Sequence, residues 1–334
     1  MQSAFFCAPH VGVAAPARRP FRRYDSICSD IPMPFATNLT GLIAAPFTPF
    51  DESGRLRLAG VEPIAAHLAA NRVAGAFVAG TTGEGLSMSV DERRELATAW
   101  SEAARNHRVK LIVHVGAAAQ CDAVALAAHA CEIGADAVAA MGPPYFRPTT
   151  VDDLVGFCEP IAAACGPLPF YYYHIPDWTG VRLPMDQFLA RGRERIANLR
   201  GLKFTHNDLA MFQLCTRLDG GAFDIFFGSD EIMLAALALG ARGFVGSTYN
   251  FAAPLYHRIL AAFDAGDWPT ARALQEKSVR LVNELCARRF LPAAKRLMAV
   301  VGVDCGPVRP PLADISVADR GALARQLHEF EAIT

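Results

Sequence analysis

The chain has 334 residues, is 52% hydrophobic and carries 32 basic against 33 acidic residues, a formal net charge of -1. Such a composition can bury a large core and excludes an electrostatic case for nucleic acid or an anionic membrane surface, leaving a small molecule as the expected partner. Nine cysteines, an odd count without a C-x-x-C pair, read as reduced thiols of a cytoplasmic protein, and no apolar stretch approaches the roughly 18 to 20 residues of a membrane helix.

Residues 1–35 differ in composition from the rest of the chain: "PARRPFRRY" brings four arginines before the first acid, Asp25. A transit-type leader fits that composition. The alternative is an N-terminal extension that starts upstream of the natural one, since "MPFATNLTGL" from Met33 would itself make an N-terminus. The second reading is preferred, and it places the fold from residue 36 onward.

From Gly41 one unit repeats: a short apolar run, a polar or glycine-rich turn, then a longer segment of helical periodicity. The runs are "GLIAAP" (41), "GAFVAG" (75), "KLIVHVG" (110), "DAVAAM" (136), "LPFYYYH" (168), "RGLKF" (200), "DIFFG" (224) and "RGFVG" (242). They lack strict alternation, as strands buried on both faces do. Between them, Ser89 and Glu92 spell a capping box, Val61, Ile64 and Leu68 form a helical stripe, and Gly134 and Gly240 stand where helices should stop. Eight units predict an α/β chain folded as a (β/α)8 TIM barrel over 36–256. Residues 257–334 are expected to form the last barrel helix and a small C-terminal helical appendage. No Gly-x-Gly-x-x-Gly follows the first strand, which argues against a doubly wound sheet.

In such a barrel the chemistry lies at the C-terminal ends of the strands. The unusual residues fall there: "GTTGEG" after the second run, "PPYF" after the fourth, "YYYHIP" ending the fifth, Lys203 and Thr205 at the sixth, "GSDE" after the seventh and "GSTYN" after the eighth. Lys203 sits inside an apolar strand, where an unpaired ammonium is costly. Either it is a buried ion pair or snorkelling stem, or it is a desolvated amine of depressed pKa that forms a Schiff base. Its neighbours decide between these. Alternation puts Tyr171 and Tyr173 on one face of the fifth strand and Tyr172 on the other, so one phenol can move protons at the mouth while others pack. "GTTGEG" offers two hydroxyls and consecutive N–H groups, a nest for a carboxylate. Amine, nest and phenol together describe a class I aldolase acting on a 2-oxo acid. Metal-dependent aldol chemistry needs a ligand cluster, and His67, His107, His114, His129, His174 and His206 show no such spacing; His114 reads as a satisfied core histidine. No metal or organic cofactor is expected.

With "G-T-T-G-E" (80–84), "Y-x-x-P" (173–176), "G-L-K-F-T" (201–205) and "G-S-T-Y-N" (246–250), the sequence resembles the pyruvate-dependent class I lyases of the dihydrodipicolinate synthase and N-acetylneuraminate lyase superfamily over about 38–320. The resemblance implies Lys203 as the Schiff-base lysine, Tyr173 as the proton shuttle, and Thr81 and Thr82 as the grip on the pyruvate carboxylate. It also implies substrate contacts at Thr205, Gly228 and Ser247. Tyr145 matches a tyrosine lent to a neighbouring subunit, hence a homotetramer, and the proton relay is expected to run from Tyr173 through Thr82 and Tyr145.

Asp230 and Glu231 match an acidic pair that accepts hydrogen bonds from a sugar's polyol tail; their plainer reading is an acidic start to the adjoining helix. Trp178 stands where dihydrodipicolinate synthases place an arginine, which argues against a second substrate carboxylate. "YYYHIPDWTG", "GLKFTHNDL" and "CGPVRPPL" look most like the animal-type branch of N-acetylneuraminate lyases. The implied reaction is reversible cleavage of N-acetylneuraminate to N-acetylmannosamine and pyruvate. Rivals are another pyruvate-releasing sugar-acid lyase or dehydratase, a dihydrodipicolinate synthase-like enzyme, and a non-catalytic 2-oxo acid-binding barrel.

Overall fold

A computed structural model describes residues 39–329. The extension expected over 1–35 lies outside the described residues. Eight parallel strands close a barrel in the order β1 to β8, each paired with the next and β8 with β1. They are β1 (Gly41–Ala44), β2 (Gly75–Val78), β3 (Lys110–His114), β4 (Ala137–Ala140), β5 (Phe170–His174), β6 (Leu199–Phe204), β7 (Asp224–Phe227) and β8 (Gly243–Gly246). Each coincides with a run read from the sequence, β6 starting one residue ahead of its run.

The helices are α1 (Val61–Ala70), α2 (Val90–His107), α3 (Gln120–Glu132), α4 (Val151–Ala164), α5 (Pro176–Thr179), α6 (Met185–Arg195), α7 (Leu209–Arg217) and α8 (Met233–Ala238). They continue with α9 (Tyr249–Asp264), α10 (Trp268–Cys286), α11 (Phe290–Leu297) and α12 (Val317–Glu329). The Ser89 hydroxyl accepts from the Glu92 N–H while Glu92 accepts from the Ser89 N–H, so α2 starts on the expected capping box. A second box, Thr150 with Asp153, starts α4. Gly134 and Gly240 take left-handed backbone just past α3 and α8. The eighth barrel helix is α9 and begins at Tyr249, so the boundary expected after Tyr256 falls inside it; α10, α11 and α12 form the C-terminal appendage.

Two hydrophobic layers result. Side chains pointing inward, among them Ile43, Phe77, Ile112, Tyr171, Tyr173 and Phe226, fill the barrel, whereas Tyr172 and Leu202 point outward into the layer shared with the helices. Strand alternation thus divides the three tyrosines as expected. Tyr171 is held low in the barrel by donating to Asp224 at 2.9 Å, which leaves Tyr173 the higher of the two.

The β7–β8 seam is the thinnest, with one register pair, Phe227 with Phe244. The Asp230 carboxylate bridges it just above, accepting from the Thr248 N–H at 2.9 Å and the Thr248 hydroxyl at 2.6 Å.

Candidate active site

Lys203 and Tyr173 are direct neighbours in the β5–β6 register, and Lys203 faces Phe226 on β7. An inward Lys203 rises from the strand into the mouth of the barrel, where it is only 4% exposed. Its Nζ lies 4.0 Å from the Phe77 ring centroid and 4.1 Å from that of Tyr173. Among the described residues no carboxylate lies within ion-pair distance, so the buried-salt-bridge reading of this lysine does not hold. Burial draws the amine down from the ordinary lysine value to about 7, with the Asp230 carboxylate acting weakly in the opposite direction. The two aromatic faces favour the cation without a counter-ion, yet desolvation outweighs them.

The Tyr173 ring packs edge-on to Phe77 and His114 at 5.4 and 5.6 Å between centroids. Its oxygen is 3.3 Å from the Thr81 hydroxyl. Burial pushes the phenol up to about 12, against hydrogen bonding that favours its ionised form. Thr82, expected in the proton relay, turns instead to Ser247, with 2.6 Å between the two hydroxyls. The threonine of this turn whose hydroxyl reaches the Tyr173 oxygen is therefore Thr81. The difference arises in the turn itself: Ala79 and Glu84 both take left-handed backbone, with φ of 57° and 54°, and Gly80 to Gly83 curl between them, sending successive hydroxyls to opposite sides.

Thr205 comes directly after β6, and its N–H donates to the His174 carbonyl. A Cβ at Gly228 would stand 2.0 Å from the Thr205 hydroxyl, so the glycine is what admits that side chain. Asp230 is 6% exposed and does not cap its own helix; one carboxylate oxygen is engaged by Thr248 across the seam. Burial raises the pKa of both Asp230 and half-buried Glu231. Trp178 on α5 is 72% exposed. Tyr145 is 81% exposed, and its ring stacks edge-on against the exposed Phe146 rather than against Lys203 or Tyr173.

Two residues of the site were not singled out as such in the sequence. Phe77 is one: alternation marks it as inward, but its meeting with Lys203 spans the barrel and leaves no local signal. His114 is the other, and its reading as a satisfied core histidine is half right. The ring bonds the Ala79 carbonyl through Nδ1 at 3.0 Å, while buried Nε2 has no partner. Burial, then the charge of Arg93, draws its pKa down to about 3, so the ring is neutral and Nδ1 carries the proton. Among the described residues no group of three or more His, Cys, Asp or Glu side chains is arranged to hold a metal ion.

The profile of the dihydrodipicolinate synthetase family matches residues 38–330. The mouse N-acetylneuraminate lyase is 39% identical over 278 residues, 82% of this chain and 87% of that protein. The Xenopus laevis N-acetylneuraminate lyase A is 40% identical over 277 residues, 82% of this chain and 90% of that protein. Among solved structures, the Proteus mirabilis N-acetylneuraminate lyase superposes with a TM-score of 0.86 at 39% identity, covering 88% of this chain and 99% of that one. The sialic acid aldolase of Aliivibrio salmonicida superposes with a TM-score of 0.86 at 40% identity, covering 89% of this chain and 98% of that one.

Proposed function

The chain belongs to the dihydrodipicolinate synthetase family and is a carbon–carbon lyase, and from that premise we propose that it cleaves N-acetylneuraminate reversibly to N-acetylmannosamine and pyruvate. The observation that carries the reading is Lys203, a buried amine with a pKa of about 7, set between two rings with no acid to pair it. The neutral amine attacks the 2-oxo carbon of the open-chain sugar acid, and loss of water leaves an iminium. Thr81, Thr82 and the N–H groups of their turn hold the substrate carboxylate. Tyr173, a phenol at neutral pH, relays the proton of the 4-hydroxyl as the C3–C4 bond breaks: its oxygen receives that proton while its own passes along the hydrogen bond to Thr81, and the proton so moved is the one returned to the enamine. The electron pair of that bond moves into the iminium to give an enamine, and N-acetylmannosamine departs as the aldehyde. Protonation of the enamine at C3 and hydrolysis return pyruvate and free Lys203. No step calls for a metal or an organic cofactor.

The polyol tail is assigned to Glu231, Ser247, Thr205 and the backbone at Gly228. Asp230 contributes there mainly by holding its loop to Thr248, a narrower part than direct capture of the tail. Trp178 favours a second reading of the tail alone, in which an indole at the rim selects a different 2-oxo sugar acid. A homotetramer completes the site by bringing Tyr145 from a neighbouring subunit. The exposed Tyr145 and Phe146 pair supports that assembly. A cytoplasmic location accords with the free state of all seven described cysteines.

The test is borohydride reduction in the presence of pyruvate, then mass spectrometry, beside an assay of pyruvate release from N-acetylneuraminate and a panel of 2-oxo sugar acids. An adduct confined to Lys203 and turnover of N-acetylneuraminate are expected. Absence of the adduct would defeat the Schiff-base mechanism, and turnover of another acid with N-acetylneuraminate untouched would defeat the substrate.

A further inference from the structure

The turn that carries Thr81 and Thr82 is closed on itself and strained at both ends. The Gly85 N–H donates to the Gly80 carbonyl at 3.1 Å and the Glu84 N–H to the Thr81 carbonyl at 3.1 Å. A Cβ at Gly85 would lie 1.9 Å from the Ala79 carbonyl oxygen. Left-handed backbone at Ala79 and Glu84, neither a glycine, persists only where surroundings hold it. Two anchors come from the barrel: His114 Nδ1 on the Ala79 carbonyl, and the Thr48 hydroxyl, which donates to the Gly83 carbonyl at 2.6 Å.

The third anchor comes from the far end of the chain. Glu84 Oε1 accepts from Lys295 Nζ of α11 at 2.7 Å, and Oε2 accepts from the Arg309 N–H at 2.8 Å. The Glu84 and Lys295 side chains are 1% and 0% exposed. Phe50 floors the group, its ring centroid 4.3 Å from Lys295 Nζ and 4.2 Å from Arg309 Cζ. The Arg309 guanidinium also donates to the Ser87 carbonyl and to Glu92, the capping residue of α2. Both ends of the turn are thus tied down, one by the barrel and the other by the C-terminal segment.

We propose that Lys295 and Arg309, through Glu84, are positioning residues for the carboxylate nest, so that the C-terminal segment sets the affinity for the pyruvate half of the substrate without touching it. The proposal rests on the reading of Thr81 and Thr82 as that nest. Releasing Glu84 lets the turn relax and misaligns its hydroxyls and N–H groups, which weakens ground-state capture of a carboxylate more than the chemistry at Lys203.

The experiment titrates pyruvate against borohydride trapping on Lys203 in the full chain. Saturable trapping in the unaltered protein is the separate check on the nest and Schiff-base reading; without it that reading fails before the variants are compared. The double variant E84Q/K295M removes both charges together and avoids leaving one buried alone. Its half-saturating pyruvate concentration should rise about tenfold or more, while the maximal extent of trapping and its pH midpoint stay put. R309A keeps the N–H that Glu84 accepts and removes only the guanidinium contacts with Gly54, Ser87 and Glu92, so it should give a smaller rise in the same direction. As comparator, D314N breaks the contacts of Asp314 with Arg296 and Arg320 in the same appendage, away from Glu84. It should lower Tm and leave half-saturation within about twofold. A folded E84Q/K295M with unchanged half-saturation, or an R309A or D314N shift as large as that of E84Q/K295M, would overturn the proposal.

Discussion

Lys203 and Tyr173 stand side by side in the β5–β6 register, the amine 4.1 Å from the centroid of the phenol ring while the phenol oxygen turns to Thr81. One residue therefore does two things to the other's surroundings: its ring helps exclude water from the amine, and its oxygen stays available above. In the roles proposed for them, nucleophile and proton carrier, two residues on adjacent strands need no movement to cooperate.

The pH dependence comes from these two groups. In the proposed mechanism the neutral amine is the nucleophile, and with its pKa at about 7, kcat/KM for cleavage should climb tenfold per pH unit below 7 and level off above it. The phenol, up at about 12, should produce no falling limb below about pH 11. Y173F should lower the plateau by about 10² to 10⁴-fold and keep the rising limb. A pH–rate profile of both proteins reads this directly.

Burying that amine has a cost in stability. With the folded pKa drawn down to about 7 from an ordinary 10.5, the unfolded chain binds more protons between those values. The group therefore weakens the fold most below pH 7, and the penalty fades as pH rises toward 10.5. K203M should be inactive yet more stable, by on the order of 3 kcal/mol near pH 7. Denaturant melts at pH 6.5 and 10 should show the gain shrinking at the higher pH.

The two threonines should separate. T81V removes the partner of the Tyr173 oxygen and should depress kcat by about 10². T82V breaks the contact with Ser247 and should act chiefly on KM, by about tenfold, with kcat within about threefold. Steady-state kinetics in the cleavage direction decide, and equal losses of kcat would return Thr82 to the relay.

G228A should be costly beyond its size. The new methyl would meet the Thr205 hydroxyl at 2.0 Å, so β6 and β7 must part or Thr205 must rotate away. A loss of about 1 to 3 kcal/mol is expected, measured by urea melts, with a rise in sugar-acid KM. The double variant G228A/T205A should recover most of the stability and none of the affinity.

At the rim, W178L should leave pyruvate trapping on Lys203 unchanged and alter the ranking of 2-oxo sugar acids, with changes of about 10 to 100-fold in relative kcat/KM. An unchanged ranking would remove Trp178 from substrate choice.

The barrel was legible because its strands are buried on both faces, and eight continuous apolar runs separated by capped helices leave few alternatives. Lys203 and Tyr173 were legible because a charge and a phenol at strand ends break that apolar pattern. What could not be read locally was which inward residue meets which across the barrel, as Phe77 meets Lys203. Nor could the assignment of Thr81 and Thr82 be read, since left-handed Ala79 and Glu84 decide where each hydroxyl points and neither is a glycine that would have announced it. Asp230 shows the same limit: its partner, Thr248, lies just past the next strand, and only closure of the sheet brings the two together.

That closure has a bearing on how the protein is made. Gly41 pairs with Gly243, about two hundred residues later, so the first strand waits beside an open edge until nearly three quarters of the chain has been synthesised. When β8 arrives it has little of β7 to grip, and the Asp230–Thr248 contact becomes the latch that turns an unfinished sheet, prone to sticking to its neighbours, into a closed one.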